Sequence, residues 1–465
     1  MQERFGAPAI NDMDASMIND LTKGGVPGKL IRFSFPFVLA NLLQFLYNIV
    51  DMIIVGQFVG SAGLSAVSIG AEFMHFLTFI AVGFAQAGQV LIAQTIGTGR
   101  REELSRIIGN LFTFILGLSV IVTVVSVLCP RPFAYVMNTP AEAFSETVDY
   151  CAVCGAGMFF VYGYNTVSNI MQGMGDSRHP LIFVAIAAGL NLVLDLLFVG
   201  VFHMRSFGAA LATVLGQSLS FVISMIYLYR RREAFGFDFR IRSCRPDRRI
   251  FGTVVKLGIP MTLQSIAISV SMMYVTACIN VYGVVYSAVS GVASKISQLC
   301  NIVSVSLRSA GSAMTGQNFG AGRFDRVSQV FWYVLLLSAG FAGVLTCGML
   351  LFPTQVFGLF NDDPAVLATA MEAIPFIIVN FFGAASRTPV SALINGIGFA
   401  GMNFVMGIAD GVVVRIGLAV LMGKVMGLGV HGYWYGSAIA GYMFFVVVFP
   451  YFLSGKWKQR KKLGL

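Results

Sequence analysis

The chain has 465 residues, of which 57% are hydrophobic and 11% charged, with a mean hydropathy of +0.79. Soluble proteins carry about 25% charged residues, so an assembly of soluble domains is excluded, and apolar stretches of roughly 20 or more residues read as helices crossing about 30 Å of hydrocarbon. The net charge of +10 is gathered in alternate loops, which makes it a signature of membrane topology and not of a nucleic-acid partner.

In chain order, apolar runs bounded by Gly, Pro and charged residues predict twelve transmembrane helices, at 30–57, 62–92, 107–129, 146–172, 180–202, 206–229, 253–281, 285–314, 327–352, 365–396, 402–423 and 431–454. The expected fold is an all-α polytopic membrane protein. Basic residues cluster at 23–32, 100–106, 178, 230–256, 323–326 and 456–462, and with Arg4 these hold 24 of the 31 Lys and Arg. The opposite loops hold only Arg131, Arg205 and Lys424. The positive-inside rule therefore places both termini in the cytoplasm of a plasma membrane protein. Residues 1–29 form a polar cytoplasmic segment with no cleaved signal peptide, 230–252 a basic cytoplasmic linker, and 455–465 a basic tail. The seven cysteines show no disulfide spacing, and Cys151 and Cys154, although C-x-x-C, lie in an apolar helix and read as packing.

The chain repeats itself. Pro36 in RFSFPFVLANLLQ matches Pro260 in KLGIPMTLQSIAI at a separation of 224, and Ser65, Ala66 and Val67 match Ser287, Ala288 and Val289 at 222. AQTIGTGRREELS matches GQNFGAGRFDRVS at 223, as QGMG matches NGIG. This predicts two six-helix bundles, 30–229 and 253–454. An even number of spans in each makes them parallel repeats about a pseudo-twofold axis along the membrane normal. Two such bundles can rock to open a central cavity alternately to each side, as transporters do. With no G-x-x-x-x-G-K-[ST] motif, the driving force is expected to be an ion gradient.

Ionisable residues inside a membrane cost at least about 2.5–3.5 kcal/mol at a helix centre on insertion scales and are functional candidates by default. Asp51 and Asp195 are the strongest. Gln44, Tyr47, Asn48 and Asp51 form one i, i+3, i+4, i+7 stripe; Asn191 and Asp195 are i, i+4; and Asn165, Asn169 and Gln172 repeat the pattern on the fourth helix. Three polar stripes make an oxygen-rich pocket suited to Na⁺, or to a proton held between two carboxylates. Secondary candidates are Glu72 and Lys295, which occupy equivalent places in the repeats and either pair across the axis or set it, and Asp410 with Arg415, an ion pair, gate or site. Pro36 removes a backbone donor and is expected to hinge the first helix.

These residues resemble the multidrug and toxic compound extrusion (MATE) family of the wider flippase superfamily. The likeness rests on P-x10-YNIVD ending at Asp51, VLIAQTIGTGR, MQGMGDSRHP, NLVLD at 191–195 and TGQNFGAGR. It implies an N-terminal cation site at Asp51, Asn191 and Asp195, with Gln44 and Tyr47 lining the same cavity. It further implies antiport of amphipathic, often cationic organic compounds against Na⁺ or H⁺. Another branch carries acidic residues on helices 7 and 10; here helix 7 has none and helix 10 only Glu372 near its outer end, so coupling is expected in the first half unless Asp410 substitutes. The rival function is a lipid or oligosaccharide flippase, which calls for basic residues in the cavity; Arg308, Arg387 and Arg415 are the candidates. A membrane enzyme is not expected, because His75, His179, His203 and His431 lie far apart and no nucleophile or metal constellation appears. No cofactor is expected beyond the coupling ion. The expected partners are small amphipathic molecules and membrane lipid, with the protein acting as a monomer.

Overall fold

Ends of the apolar runs are set by identifiable local chemistry. Asp247 and Asp363 cap their helices by accepting hydrogen bonds from the backbone N–H of Arg249 and Ala365, both at 2.8 Å, and Pro364 supplies a pre-set first turn. The computed structural model describes residues 19–360 and 363–463; of the expected terminal segments, 1–18 and 464–465 lie outside the described residues.

Among the described residues the long helices are α1 (Val26–Phe58), α2 (Ser61–Gly97), α3 (Arg101–Leu128), α4 (Ala141–Ala156 and Met158–Gly173), α5 (Arg178–Val201) and α6 (Arg205–Arg230). They continue as α7 (Arg248–Asn280), α8 (Val284–Gly320), α9 (Phe324–Leu351), α10 (Pro364–Gly396), α11 (Ala400–Val425) and α12 (Gly429–Leu453). Ten are long and apolar enough to cross a membrane; α8 and the interrupted α4 are the exceptions. The protein is an all-α polytopic membrane protein. α4 breaks at Gly157, where an added Cβ would stand 2.5 Å from Val214 of α6. α1 runs unbroken through Pro36, so the expected hinge is not a break in this conformation. Two short helices absent from the expectation, Pro130–Val136 and Pro353–Gly358, occupy equivalent places after α3 and α9. The basic linker is not loose: Phe235 and Phe237 are buried in the first core, and Asp247 pairs with Arg106 of α3.

In lipid, helices associate through close van der Waals contact and small residues rather than through hydrophobic drive. The repeated motif AQTIGTGR/GQNFGAGR is where this matters most. A Cβ on Gly97 would lie 2.0 Å from the carbonyl oxygen of Gln317, and one on Gly320 2.3 Å from that of Gln94, so α2 and α8 cross at glycine in both repeats. Gln94 Nε2 donates to Gly396 O at 2.7 Å while its Oε1 accepts from the backbone N–H of Leu463 at 2.8 Å. Its repeat counterpart Gln317 donates to Gly173 O at 3.1 Å and accepts from the N–H of Leu21 at 2.9 Å. Each glutamine thus ties its helix to the other repeat and to one terminal segment.

Hydrogen bonds and close glycine contacts between the repeats, among the described residues, reach outward only as far as Asn41 of α1, Gly83 of α2, Thr262 of α7 and Ser306 of α8. Beyond them exposed side chains line α2 at Glu72 and His75 and α8 at Lys295, Gln298 and Asn301. The repeats are locked together on the side of the 230–252 linker and part toward the other side.

Candidate functional site

Asp51 near the C-terminal end of α1 and Asn191 and Asp195 in α5 converge within the first repeat. They are 6%, 4% and 1% exposed. The two carboxylates, on packed helices, are close enough to interact electrostatically. Oδ1 of Asp51, both carboxylate oxygens of Asp195 and Nδ2 of Asn191 are buried with no hydrogen-bond partner among the described residues. Buried polar side-chain atoms are nearly always paired, so orphaned atoms on three adjoining residues mark a place for a bound group. Two adjacent carboxylates at low dielectric repel, and a small cation between them, Na⁺ or a proton, relieves the repulsion. Asp51, Asp195 and the Asn191 amide are the residues that could hold it; no group of three or more His, Cys, Asp or Glu able to hold a metal occurs among the described residues.

Local backbone helps to aim these groups. Asp195 is the last α-helical residue before a π-helical turn, Leu196–Val201, and a matching π turn, Leu421–Val425, recurs in α11. A third, Ala409–Val414, contains Asp410. Such turns rotate the side chains beyond them and gather at functional sites. A narrow cleft beside the carboxylates is lined by Gln44, Tyr47, Tyr164, Asn191, Gln217 and Ser220. Tyr164 and Gln217 were not singled out from sequence, because Tyr164 lies off the Asn165, Asn169 and Gln172 stripe and Gln217 sits among serines common at helix contacts in membranes.

Other expected residues take different roles. Asn48 is exposed. Asn165 and Asn169 donate to carbonyls of their own helix, Val161 O at 2.8 Å and Asn165 O at 2.9 Å. Gln172 bonds Ser168 at 3.1 Å and accepts from Ser309 of α8 at 2.7 Å, joining the contact between the repeats. Glu72 and Lys295 form no ion pair with each other, since their helices diverge on that side.

The second repeat holds a different cluster. Asp410, 0% exposed, accepts from Arg387 Nη2 at 2.5 Å through one oxygen and from Arg415 Nη2 at 3.1 Å through the other. Arg415, 5% exposed, also donates to Ser437 O at 2.9 Å. The expected Asp410–Arg415 pair is therefore present, with Arg387 as a second partner that sequence spacing could not reveal because it comes from α10.

A family model described as MatE matches residues 36–197 and again 260–421. The chain is similar to the probable multidrug resistance proteins YoeA and YpnP of Bacillus subtilis, each 25% identical over 95% of this chain and 96% and 98% of theirs. It is 22% identical to the multidrug export protein MepA of Staphylococcus aureus over 80% of this chain and 79% of that one. Among solved structures it resembles a MATE family transporter of the MOP superfamily in an outward-facing conformation, with TM-score 0.88, 23% identity, and 95% and 98% coverage of the two chains. It also resembles a MOP superfamily transporter from Pyrococcus furiosus, described by a reverse polarity of its binding pocket that suggests a different function, with TM-score 0.89, 22% identity, and 95% and 98% coverage.

Proposed function

The chain belongs to the MatE family, and we propose that it is a secondary active antiporter that exports amphipathic organic compounds in exchange for H⁺ or Na⁺. The carrying observation is the set of orphaned buried polar atoms on Asp51, Asn191 and Asp195. The names of its relatives, which speak of multidrug resistance and export, support the substrate class.

Mechanistically, two bundles, 30–229 and 253–454, rock about the contacts between α2 and α8. With the linker side in the cytoplasm, both termini are cytoplasmic and the present arrangement faces outward. An ion gradient can drive export only if ion and substrate favour different orientations, since a ligand with equal affinity for both shifts nothing. The carboxylate pair supplies that difference: neutralised by the incoming cation, it releases a cationic compound outside; emptied to the cytoplasm, it attracts the next. Pro36 leaves one α1 carbonyl without its helical donor and gives the helix a place to bend as occupancy changes.

Transport of a fluorescent lipophilic cation into inverted vesicles, under separately imposed Na⁺ and pH gradients, tests this. Uptake driven by one of the two gradients supports antiport and identifies the ion; uptake indifferent to both removes it. The flippase reading is favoured only by the arginines around Asp410, and transbilayer movement of a lipid-linked sugar with no export of the cation would put it first.

A further inference from the structure

Two arginines, Arg387 of α10 and Arg415 of α11, pair with a single carboxylate, Asp410, and a third, Arg308 of α8, stands nearby on a helix packed against α10 without reaching it. α8 runs beside α10, with Asn380 donating to Ser297 at 3.1 Å and Gly311 packed against Ala392, which brings Arg308 level with Arg387. Each oxygen of Asp410 is engaged, one by Arg387 and the other by Arg415. Arg308 makes no hydrogen bond or ion pair with any described residue, and Nε of Arg387 and of Arg415 is buried without a partner. One turn along α10 from Arg387, the Ser391 hydroxyl is also buried and unpartnered. A guanidinium drawn part-way out of water without a counter-charge carries a desolvation penalty, and among the described residues no second carboxylate pairs with these arginines.

The cluster is reachable. On α8 the exposed positions Lys295, Gln298, Asn301 and Val305 follow one helical face and lead to half-buried Arg308. Contacts between the repeats begin two residues away, at Ser306. Arg308 therefore stands where the exposed face of α8 meets the contacts between the repeats, and Arg387 is 21% exposed on its side chain.

We propose that the second repeat holds a binding subsite for an oxyanion, a carboxylate or phosphate carried on an amphipathic molecule, with Arg308 and Arg387 as its donors and Asp410 orienting Arg387 and Arg415. Guanidinium groups suit this chemistry because their planar donors match carboxylate and phosphate oxygens. The ligand's apolar part lies along the cavity wall and its oxyanion meets Arg308 first. Binding needs no ion gradient, so the subsite stands or falls independently of the antiport reading.

The test uses the full chain in phosphatidylcholine nanodiscs and reads the fluorescence of bound 1-pyrenebutanoate, its neutral amide serving as a control of equal shape and with empty nanodiscs subtracted. The acid is expected to bind about tenfold or more tighter than the amide. Arg308→Gln, which breaks no internal bond, abolishes that preference, and Arg308→Lys retains part of it. Doping the discs with phosphatidic acid separates two sources: displacement of the probe assigns the subsite to a lipid phosphate, and no displacement assigns it to a soluble oxyanion. Equal binding of acid and amide, or a preference unchanged in Arg308→Gln, overturns the proposal.

Discussion

In the first repeat the carboxylates of Asp51 and Asp195 adjoin with no basic partner among the described residues, whereas in the second Asp410 is gripped by two guanidinium groups while a third stands unpaired. The two family-model matches are offset by 224, and at that offset Asp51 falls on Val275, Asn191 on Arg415 and Asp195 on Ala419. The helix crossings at Gly97 and Gly320 and the π turns after Asp195 and at Leu421 are kept in both repeats. A duplicated scaffold thus preserves its packing while its buried charges diverge. On the proposed reading the first repeat accepts a cation, whereas the carboxylate of the second is already paired within the protein.

The sharpest way to break this contrast is at Asp51. Asp51→Asn keeps the shape and fixes the neutral state, so ion-driven uphill efflux from proteoliposomes should fall to background while downhill exchange of substrate persists. Asp195→Asn should lower uphill efflux in the same direction, to a smaller extent.

Asp410→Asn reverses the pattern. Its effect on efflux should be milder, but it strands Arg387 and Arg415, and loss of one member of a buried ion pair costs about 3–5 kcal/mol. Thermal unfolding in detergent should show a clear drop in midpoint for Asp410→Asn and none for Asp51→Asn, where a repulsive contact is relieved. The reverse order would mean that the two repeats have been assigned the wrong way round.

A smaller effect is expected where the repeats agree. Gln94→Ala or Gln317→Ala removes a pair of buried hydrogen bonds and should shift the conformational balance by about 1–3 kcal/mol toward opening on the linker side. Spin labels on the exposed positions 102 and 325 would record this as a longer distance population. Least of all is expected from Asn165→Ala and Asn169→Ala, whose amides return to their own helix; polar contacts of this kind are worth about 0.6 kcal/mol on average, and efflux in each variant should stay within about threefold of the parent.

Much of the fold was legible because a membrane leaves so few options: long apolar runs, basic loops and a repeat near 223 are signals read without any tertiary knowledge. The break at Gly157 in α4 was not legible; the glycine stands against Val214 on another helix, a contact that spacing along one helix does not encode. At the site, Asp51, Asn191 and Asp195 could be named because intramembrane carboxylates are rare and the Asn-x-x-x-Asp spacing is local. The amide stripe on α4 misled, since Asn165 and Gln172 share a helical face yet find partners at opposite ends of it. Arg387 as a partner of Asp410, and the glutamine ties at Gln94 and Gln317, depend on which helices meet, which spacing along one helix does not encode; the repeated AQTIGTGR/GQNFGAGR motif was the visible trace of the second.

Cation binding to the purified protein tests the central claim most directly. Wild type, Asp51→Asn and Asp410→Asn would be compared in weakly buffered detergent, following ²²Na⁺ retention and proton exchange together. The account predicts that wild type and Asp410→Asn bind a cation, Na⁺ or H⁺, and that Asp51→Asn does not. Wild-type binding by Asp51→Asn, together with its loss in Asp410→Asn, would contradict the account and move the coupling site to the second repeat.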